Sequence, residues 1–260
     1  MIMLNYLVRT PGSAILLLTF LLSQVTVSAQ YSDSTDIAPA WHQRTAVQVL
    51  AVPTILMGAG IATMGDNGLY SSQDAYECIQ EKYPDFHTSI DDYLLWVPAA
   101  TVYGLNLAGV KGKNNFVDRS LIYVISVSLA SLTSTAIKNT TGVLRPDGSA
   151  NNSFPSGHTT VAFVSATFLH EEYKDLSLWY SVAGYSVATA TGVLRMLNNK
   201  HWMSDVFFGA GLGILSTKVV YLVYPHMKNM FGSKNNSSNL TLIPSLYNDH
   251  YGIYLQYRFN

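Results

Sequence analysis

Three clusters of polar residues interrupt an otherwise apolar chain of 260 residues, and they occupy segments 138–146, 153–158 and 195–205. Each cluster stands at the end of an apolar stretch, where a rigid element is expected to meet an exposed loop. The clusters contain histidine, aspartate, serine, lysine and arginine. These side chains serve acid–base and nucleophilic chemistry and bind anions. The chemistry of the protein is therefore expected at the ends of its apolar elements.

Three basic residues of these clusters are placed to meet an anion. Lys138 and Arg195 each end an uncharged stretch. Arg145 precedes Pro146, which disfavours helix and predicts a loop that folds back towards Lys138. Such cations could simply snorkel at an interface. Together they suit phosphate, because arginine offers a planar fork of donors and lysine a point charge.

The second cluster adds the start of a helix. Ser156 and Gly157 follow Pro155 and precede an apolar stretch, so a helix is predicted to begin there. Its N-terminus would supply a hydroxyl and free backbone N–H groups, which form a favourable anion site. Alone, the segment could be only a turn and a helix cap. Beside three cations it suggests an oxyanion pocket of the phosphate type.

A histidine–aspartate pair completes the predicted site. His201 and Asp205 are four residues apart, hence on one face of a helix predicted to begin near Trp202. The carboxylate can hold one imidazole N–H and leave the other nitrogen free to attack. His158, at the start of its own helix, can act as general acid on the leaving oxygen. Phosphoryl transfer to His201 and hydrolysis of the phosphohistidine follow, and no metal is expected because the cations stabilise the charge.

The three clusters resemble the signature motifs of the type 2 phosphatidic acid phosphatase superfamily. That group includes lipid phosphate phosphatases, bacterial class A acid phosphatases and vanadium haloperoxidases. The motifs as they stand here are Lys138-x6-Arg145-Pro146, Pro155-Ser156-Gly157-His158 and Arg195-x5-His201-x3-Asp205. The resemblance covers about residues 90–225. It implies an all-α helical bundle of the acid phosphatase and vanadium-dependent haloperoxidase type.

The resemblance also implies a role for each matching residue. His201 would be the nucleophile, Asp205 its partner and His158 the acid. The phosphate would be bound by Lys138, Arg145, Ser156, Gly157 and Arg195. Phosphate or vanadate could occupy such a site, and no other cofactor is implied. One departure is Leu194, where the family usually has a serine, so one phosphate-binding hydroxyl is missing.

The elements that must position these residues are six uncharged, apolar stretches, all predicted to be helices. They span residues 47–64, 94–110, 120–137, 159–169, 176–194 and 206–224. Several approach the ~20 residues that a membrane span needs. However, seven of the 18 residues in 120–137 are Ser or Thr. Membrane spans and the packed helices of a bundle therefore both remain open.

The composition narrows the class of protein. Charged residues are 12% of the chain, hydrophobic residues 48%, and the net charge is −1. These values exclude a disordered or coiled-coil protein, and they give no sign of a nucleic-acid-binding one. A single cysteine, Cys78, excludes an intramolecular disulfide and a multi-cysteine metal site.

The ends of the chain predict export and a small appendage. Residues 1–29 have a basic start, a short apolar run and a small-residue cleavage site, which predicts a signal peptide, with an uncleaved anchor as the alternative. Residues 240–260 alternate in the manner of a strand hairpin. The predicted order is signal peptide, lead-in, helical phosphatase domain, linker and hairpin-like tail. Their bounds are 1–29, 30–46, 47–228, 229–239 and 240–260.

The charge of the loops bears on the side of the membrane. Segment 65–93 is acidic and segment 111–119 is basic. If the helices between them span, the positive-inside rule places the acidic segment outside and the basic one in the cytoplasm. The active site would then face outward, in agreement with the signal peptide, only if 47–64 does not cross. The prediction is an exported protein at the periplasmic face, membrane-associated or integral.

The sequence thus predicts a metal-independent phosphatase acting on an envelope lipid: phosphatidic acid, phosphatidylglycerol phosphate, undecaprenyl diphosphate or lipid A. Three alternatives stay open. The first is a soluble periplasmic acid phosphatase of broad specificity, favoured by the short, polar helices. The second is a vanadium-dependent haloperoxidase. The third is a non-catalytic membrane or partner-binding protein, against which the presence of His158, His201 and Asp205 argues.

Overall fold

The computed structural model describes residues 45–66, 70–231, 240–247 and 250–257. The predicted signal peptide, residues 1–29, and residues 30–44 of the predicted lead-in lie outside these described residues.

Eight helices and then two strands follow one another along the described residues. The helices are α1 (Thr45–Ala62), α2 (Ser72–Lys82), α3 (Asp91–Leu94), α4 (Val97–Leu107), α5 (Phe116–Thr141), α6 (Gly157–Tyr173), α7 (Leu178–Leu197) and α8 (Met203–Phe231). The strands are β1 (Leu240–Tyr247) and β2 (His250–Tyr257). All six stretches predicted to be helical are confirmed, and so is the all-α fold with a short β-like tail.

The chain divides into two compact units between Val220 and Tyr221. The first unit holds α1 to α7 and the larger part of α8. The second holds the end of α8 and an antiparallel hairpin, in which Leu240 is paired with Tyr257 and Leu246 with Tyr251. The predicted domain bounds stay predictions. Helix α8 continues to Phe231, and residues 232–239 of the predicted linker lie outside the described part.

The segment 65–93, which the sequence predicts to be an acidic loop, contains two helices. Helix α2 begins with a reciprocal capping box. The Ser71 hydroxyl accepts from the Asp74 N–H at 3.1 Å, and the Asp74 carboxylate accepts from the Ser71 N–H at 2.6 Å. The prediction of a loop was wrong. Helix α2 is polar, so its sequence contains no apolar stretch by which a helix could be recognised. The capping box is the sequence signal that identifies it.

Helix α6 is the central helix of the first unit, with apolar and hydroxyl side chains buried along its length. It packs against α4, α5 and α7. Helix α8 approaches its N-terminus closely at Gly209, where a Cβ atom would lie only 2.8 Å from the Ser156 carbonyl oxygen. The missing side chain of Gly209 therefore lets the start of α8 lie beside the start of α6.

The ends of four helices carry the three polar clusters. Lys138 lies in the last turn of α5, which stops at Gly142 with φ of 58°, a left-handed conformation that glycine adopts without strain. Arg195 lies in the last turn of α7, and Asp205 in the first turn of α8. Ser156 is the N-cap of α6. The fold thus places every cluster at a helix terminus, as the sequence predicts.

Among the described residues, two helices are long and apolar enough to cross a membrane: α5 and residues 203–228 of α8. Most of the apolar window of α5 is not buried within the protein. Its exposed large apolar residues include Leu121, Val124, Leu129 and Leu132. A contiguous exposed apolar face of this kind is typical of a membrane or protein contact.

Candidate active site

The three polar clusters converge at one end of the first unit. Segment 138–146 contacts Ser153 and the preceding Asn152 through hydrogen bonds to their backbone carbonyls and to the Asn152 side-chain amide. Segment 153–158 in turn contacts segment 195–205 through a serine hydroxyl and a backbone bond. Residues more than 45 positions apart in the chain therefore form one site.

His201 and Asp205 form a buried pair at the centre of this site. His201 Nδ1 lies 3.3 Å from Asp205 Oδ2, and the two side chains are 2% and 0% exposed. The prediction that both lie on one helix was wrong, because α8 begins only at Met203 and His201 belongs to the preceding loop. The Trp202 N–H donates to the same Asp205 oxygen at 2.9 Å. With Nδ1–H directed to the carboxylate, Nε2 keeps its lone pair.

Ser153 contacts both residues of the buried His201–Asp205 pair. Its hydroxyl donates to Asp205 Oδ2 and lies 3.4 Å from His201 Nδ1. The Ser153 N–H donates to the Val143 carbonyl oxygen at 2.9 Å, which fixes the serine between the first and third clusters. The sequence places Ser153 at the start of the second cluster but gives no signal of its role, because its partners are 48 and 52 residues away.

Burial holds the His201 imidazole neutral. Removal from water lowers the pKa of His201 to about 4. Asp205 opposes this shift, whereas the positive charges of Lys138 and Arg195 add to it. At neutral pH His201 therefore has an unprotonated nitrogen close to two cations.

Lys138 and Arg145 meet at Asn152. Lys138 Nζ donates to the Asn152 carbonyl oxygen at 2.5 Å and to that of Ser153 at 3.3 Å. Arg145 Nε donates to Asn152 Oδ1 at 3.0 Å. Arg145 lies in the loop after α5, which folds back towards Lys138 as Pro146 predicts. Asn152 is thus a shared acceptor that sets the spacing of the two cations.

Ser156 and Gly157 form the N-terminus of α6. The Ser156 hydroxyl oxygen accepts from the Thr159 N–H and hydroxyl at 3.4 and 2.9 Å, and its own N–H donates to the Asp205 carbonyl oxygen at 3.1 Å. The serine is fully buried, so its contacts are those of a helix cap. Within the described part of the chain, the N–H groups of Gly157 and His158 meet no acceptor. These two amides can bind an anion.

Arg195 is held by an aspartate that the sequence analysis assigns no role. Arg195 Nη1 donates to Asp91 Oδ2 at 2.7 Å, and the Asp91 side chain is 1% exposed. Asn198 Nδ2 donates to the other oxygen of Asp91 at 2.9 Å. Asp91 therefore orients the guanidinium of Arg195 through its contact with Nη1. Arg195 Nε is buried and has no acceptor among the described residues.

The next residue, Asp92, contacts the predicted acid. His158 Nε2 and Asp92 Oδ1 are 2.9 Å apart, and the same oxygen lies 3.9 Å from Arg195 Nη1. Burial and the charge of Arg195 lower the pKa of His158, while Asp92 and Asp91 oppose that shift. In the sequence, Asp91 and Asp92 are recognisable only as part of the acidic segment 65–93. Their chemical partners lie 104 and 66 residues further along the chain, respectively.

Two contacts fasten the loop of Arg145 to the loop of His201. Lys200 Nζ donates to Asp147 Oδ2 at 2.7 Å. The Trp202 indole N–H donates to the Leu144 carbonyl oxygen at 2.8 Å. The residues flanking His201 thus bridge to the segment that carries Arg145.

A cavity of about 460 Å³ opens beside these groups. Lys138, Gly157 and His158 line it, together with Asp92. Among the residues that the structure describes, no group of three or more His, Cys, Asp or Glu is placed to hold a metal ion. In this helical bundle, the cations and the buried histidine–aspartate pair lie together at one end. The three motifs predict a structure of this class.

Comparison with known proteins finds a family that matches part of the chain. Residues 119–228 match the PAP2 superfamily. A lipid A 1-phosphatase from Porphyromonas gingivalis is 44% identical over 139 residues. The matched region is 53% of this chain and 31% of that relative, so the chain spans about a third of the relative's length.

Two solved structures are also similar. LpxE of Aquifex aeolicus has a TM-score of 0.42 and 21% identity, over 56% of this chain and 93% of that one. The transmembrane PAP2-type phosphatidylglycerolphosphate phosphatase of Bacillus subtilis has a TM-score of 0.47 and 22% identity, over 71% of this chain and 98% of that one.

Proposed function

We propose that this protein is a phosphatase that removes phosphate from an envelope lipid through a phosphohistidine on His201. The observation that carries the proposal is the buried His201–Asp205 pair, 3.3 Å apart, in the field of Lys138 and Arg195. Such a pair supplies an oriented, neutral nucleophile, and the cations supply the charge that a transferring phosphoryl group needs.

In the first step, the lone pair of His201 Nε2 forms a bond to phosphorus as the bond to the ester oxygen breaks. Asp205 accepts the Nδ1–H bond and stabilises the positive charge that develops on the ring. His158, when protonated, gives its proton to the leaving oxygen, and its contact with Asp92 orients the ring. The products are phosphohistidine and a free alcohol.

In the second step, water forms a bond to phosphorus while the bond to Nε2 breaks. His158, now unprotonated, accepts the proton of the water, which restores both histidines and releases inorganic phosphate. Because the proton that left on the alcohol is regained from water, the cycle is balanced.

The non-bridging oxygens of the phosphate are bound by Lys138, Arg145 and Arg195 and by the Gly157 amide at the start of α6. Ser156 acts through the helix cap, since its oxygen accepts hydrogen bonds from Thr159. These groups supply the charge stabilisation that a metal ion provides elsewhere. The reaction is therefore proposed to require no metal.

The lipid nature of the substrate is supported by two observations. The cavity at the site lies on α5, whose outward face exposes apolar residues along its length. The similar protein from Porphyromonas gingivalis is a lipid A 1-phosphatase. An active site facing the periplasm is proposed because the sequence of residues 1–29 predicts a signal peptide.

The test is phosphate release by the full chain, purified in detergent with excess EDTA. The substrates are lipid A, phosphatidic acid, undecaprenyl diphosphate and p-nitrophenyl phosphate. We expect EDTA-resistant release that falls more than about 1,000-fold in His201→Ala, as is typical when a nucleophile is removed. The matched control is His87→Ala, because His87 is exposed and lies outside the site.

Quenching of the reaction in alkaline detergent, with a ³²P-labelled substrate, provides the second readout. A label that is stable in alkali, labile in acid and lost in His201→Ala identifies the phosphohistidine. Release that depends on an added metal, or that survives in His201→Ala, contradicts the proposal. Halide oxidation with vanadate and peroxide, in place of phosphate release, would favour the haloperoxidase alternative.

A further inference from the structure

Asn198, which directly follows the last residue of α7, uses both the oxygen and the nitrogen of its side chain. The residue is 7% exposed. Its Oδ1 accepts from the Thr88 N–H at 2.9 Å, and its Nδ2 donates to the Thr88 carbonyl oxygen at 2.8 Å. The same Nδ2 donates to Asp91 Oδ1 at 2.9 Å. One carboxamide thus binds both backbone polar groups of Thr88 and the first residue of α3.

The segment that Asn198 binds has few other contacts. Residues 84–90 are exposed except for Thr88, which is half-buried. Within the described part of the chain, their other hydrogen bonds join residues at most four positions apart. A surface segment of this kind is held in place by the few long-range contacts that it makes. The carboxamide of Asn198 is therefore the anchor of this segment.

The anchored segment leads directly into two acids that contact the site. Asp91 Oδ2 accepts from Arg195 Nη1 at 2.7 Å. The next residue, Asp92, has its Oδ1 atom 2.9 Å from His158 Nε2. Asn198 is joined to the first acid by a hydrogen bond and to the second through the adjacent backbone. One buried side chain is thus linked to a phosphate-binding candidate and to the predicted acid.

We propose that Asn198 is a positioning residue of the phosphatase site, which acts by holding segment 88–92 in place. The acids of that segment then orient Arg195 and His158. The proposal rests on the function proposed above and adds a residue to it. Asn198 is one of the five residues between Arg195 and His201 that the third motif leaves unspecified. Its loss should change two properties, the affinity for phosphate and the pH at which the acid loses its proton.

The first test removes the carboxamide in Asn198→Ala. The matched control is Asn114→Ala, because Asn114 Nδ2 also binds a buried acid, Glu172 Oε1 at 2.6 Å, but at the opposite end of the unit. Binding of inorganic phosphate to the full chain in detergent is measured by titration calorimetry, which requires no turnover. We expect the dissociation constant to rise about tenfold in Asn198→Ala, since one charged donor is misaligned. It should stay unchanged in Asn114→Ala.

The same measurement in an Arg195→Met background shows whether Asn198 acts through Arg195. Because effects that pass through one shared partner are not additive, adding Asn198→Ala to Arg195→Met should change the dissociation constant by less than about twofold. An equal tenfold rise in both backgrounds would mean that Asn198 acts independently of Arg195, and the positioning role would be wrong.

The second test is the pH dependence of p-nitrophenyl phosphate hydrolysis. The charged groups around His158 come from three helices: Asp91 and Asp92 of α3, Arg195 of α7 and Lys138 of α5. Burial and Arg195 lower the pKa of His158, and Asp92 raises it. Release of Asp92 in Asn198→Ala should therefore move the alkaline side of the plot of kcat/KM against pH to lower pH.

The value of kcat/KM at its maximum should also fall about 10- to 100-fold in Asn198→Ala, the loss that misplaced groups typically cause. A variant that is only less stable would keep its alkaline side in place, because the amide of Asn198 does not titrate. Unchanged phosphate affinity and an unchanged pH profile in folded Asn198→Ala overturn the positioning role and leave the phosphatase intact. A folded wild-type protein that hydrolyses no phosphate ester overturns the proposed function instead.

A third test uses only the wild-type chain and so does not depend on the folding of any variant. Hydrogen–deuterium exchange is followed by mass spectrometry with and without saturating inorganic phosphate. If Asn198 links Arg195 to segment 88–92, phosphate should slow exchange in peptides that contain the Thr88 amide. Peptides that contain Asn114 should exchange equally in both conditions. Equal exchange at Thr88 with and without phosphate contradicts the proposal.

Discussion

Two arginines are buried at opposite ends of the helical unit, and their surroundings differ. Arg119, in the first turn of α5, donates from Nε and Nη2 to the Asn114 carbonyl oxygen and lies 3.8 Å from Glu172 Oε2. Asn114 also donates to both oxygens of Glu172, at 3.0 and 2.6 Å. One asparagine thus joins the acid and the base into a closed group that ties the start of α5 to the end of α6.

Arg195 is buried to a similar extent but is held from one side only. Asp91 and Asn198 support it, and the adjacent Asp92 extends from there to His158 and the cavity. Each arginine has one buried nitrogen without a partner among the described residues. Such a nitrogen alone therefore does not distinguish an anion site. What distinguishes Arg195 is the nearby Asp92, which contacts His158 and lines a cavity with it.

The largest difference between the two ends should appear when each arginine is replaced by methionine, which keeps an unbranched apolar stem and removes the charge. Arg195→Met is expected to lower kcat/KM by about 100- to 1,000-fold, the usual loss when one oxyanion donor is removed. Arg119→Met is expected to leave kcat/KM unchanged in the folded protein, because ~19 residues of helix, or ~28 Å, separate it from Lys138. It should instead lower the melting temperature.

The stability change in Arg119→Met follows from the charge left behind. Breaking a buried ion pair typically costs about 3–5 kcal/mol, because the remaining charge stays in a poorly solvated site. Phosphate release is measured at low temperature, where both variants are folded, and melting is followed in the same detergent. If folded Arg119→Met loses as much activity as Arg195→Met, the two ends are not functionally distinct.

The sequence was sufficient to predict the features of the fold and the site that depend on residues close together in the chain. The uncharged stretches predicted six helices, because burial excludes charge over a continuous run. The interval of four residues between His201 and Asp205 predicted their contact, although His201 lies before the helix rather than on it. Local spacing was thus enough to predict the contact between these two residues.

The positioning residues could not be predicted in this way. Asp91 and Asp92 lie in a polar segment, and their partners are 104 and 66 residues away. Ser153 is likewise joined to Asp205 across 52 residues. Only the packing of α3, α6, α7 and α8 brings them together, and no periodicity in one sequence reports such packing. The same holds for Asn198, whose polarity was visible but whose contacts across the chain were not.

The pH dependence of the reaction sharpens the comparison, because two histidines respond to the charge of Arg195. Burial lowers the pKa of His201 to about 4, so the nucleophile becomes available as pH rises through 4. Burial also lowers the pKa of His158 below 6.5, so the acid loses its proton before that pH is reached. The plot of kcat/KM against pH should therefore be a bell with its maximum between about 4 and 6.5.

Asp92→Asn tests the origin of the alkaline side of that bell. Asp92 raises the pKa of His158 against the effect of burial, so the variant should lose activity at a lower pH than wild type. The acidic side, set by His201, should not move. Asp85→Asn is the control, because Asp85 is exposed and lies outside the site. An alkaline side that stays in place in Asp92→Asn excludes His158 as the acid.

The smallest effect is expected from an ion pair that is only partly buried. Lys200 and Asp147 are 2.7 Å apart, with side chains 34% and 18% exposed. Burial raises the pKa of Asp147. The hydrogen bonds from Lys200 and Ser149 lower it by more, so that the pKa falls to about 2. The pair therefore contributes its stability above about pH 4 and loses it as pH falls towards 2.

Asp147→Asn should accordingly lower the free energy of unfolding by no more than about 1 kcal/mol at pH 7, and by less as the pH falls below 4. Its effect on kcat/KM should stay within about threefold, because the Trp202 indole bond to Leu144 still fastens the two loops. A loss as large as that of Arg195→Met would mean that the loop contact itself positions His201. The measurement is phosphate release and melting of the variant, with Asp85→Asn as its exposed counterpart.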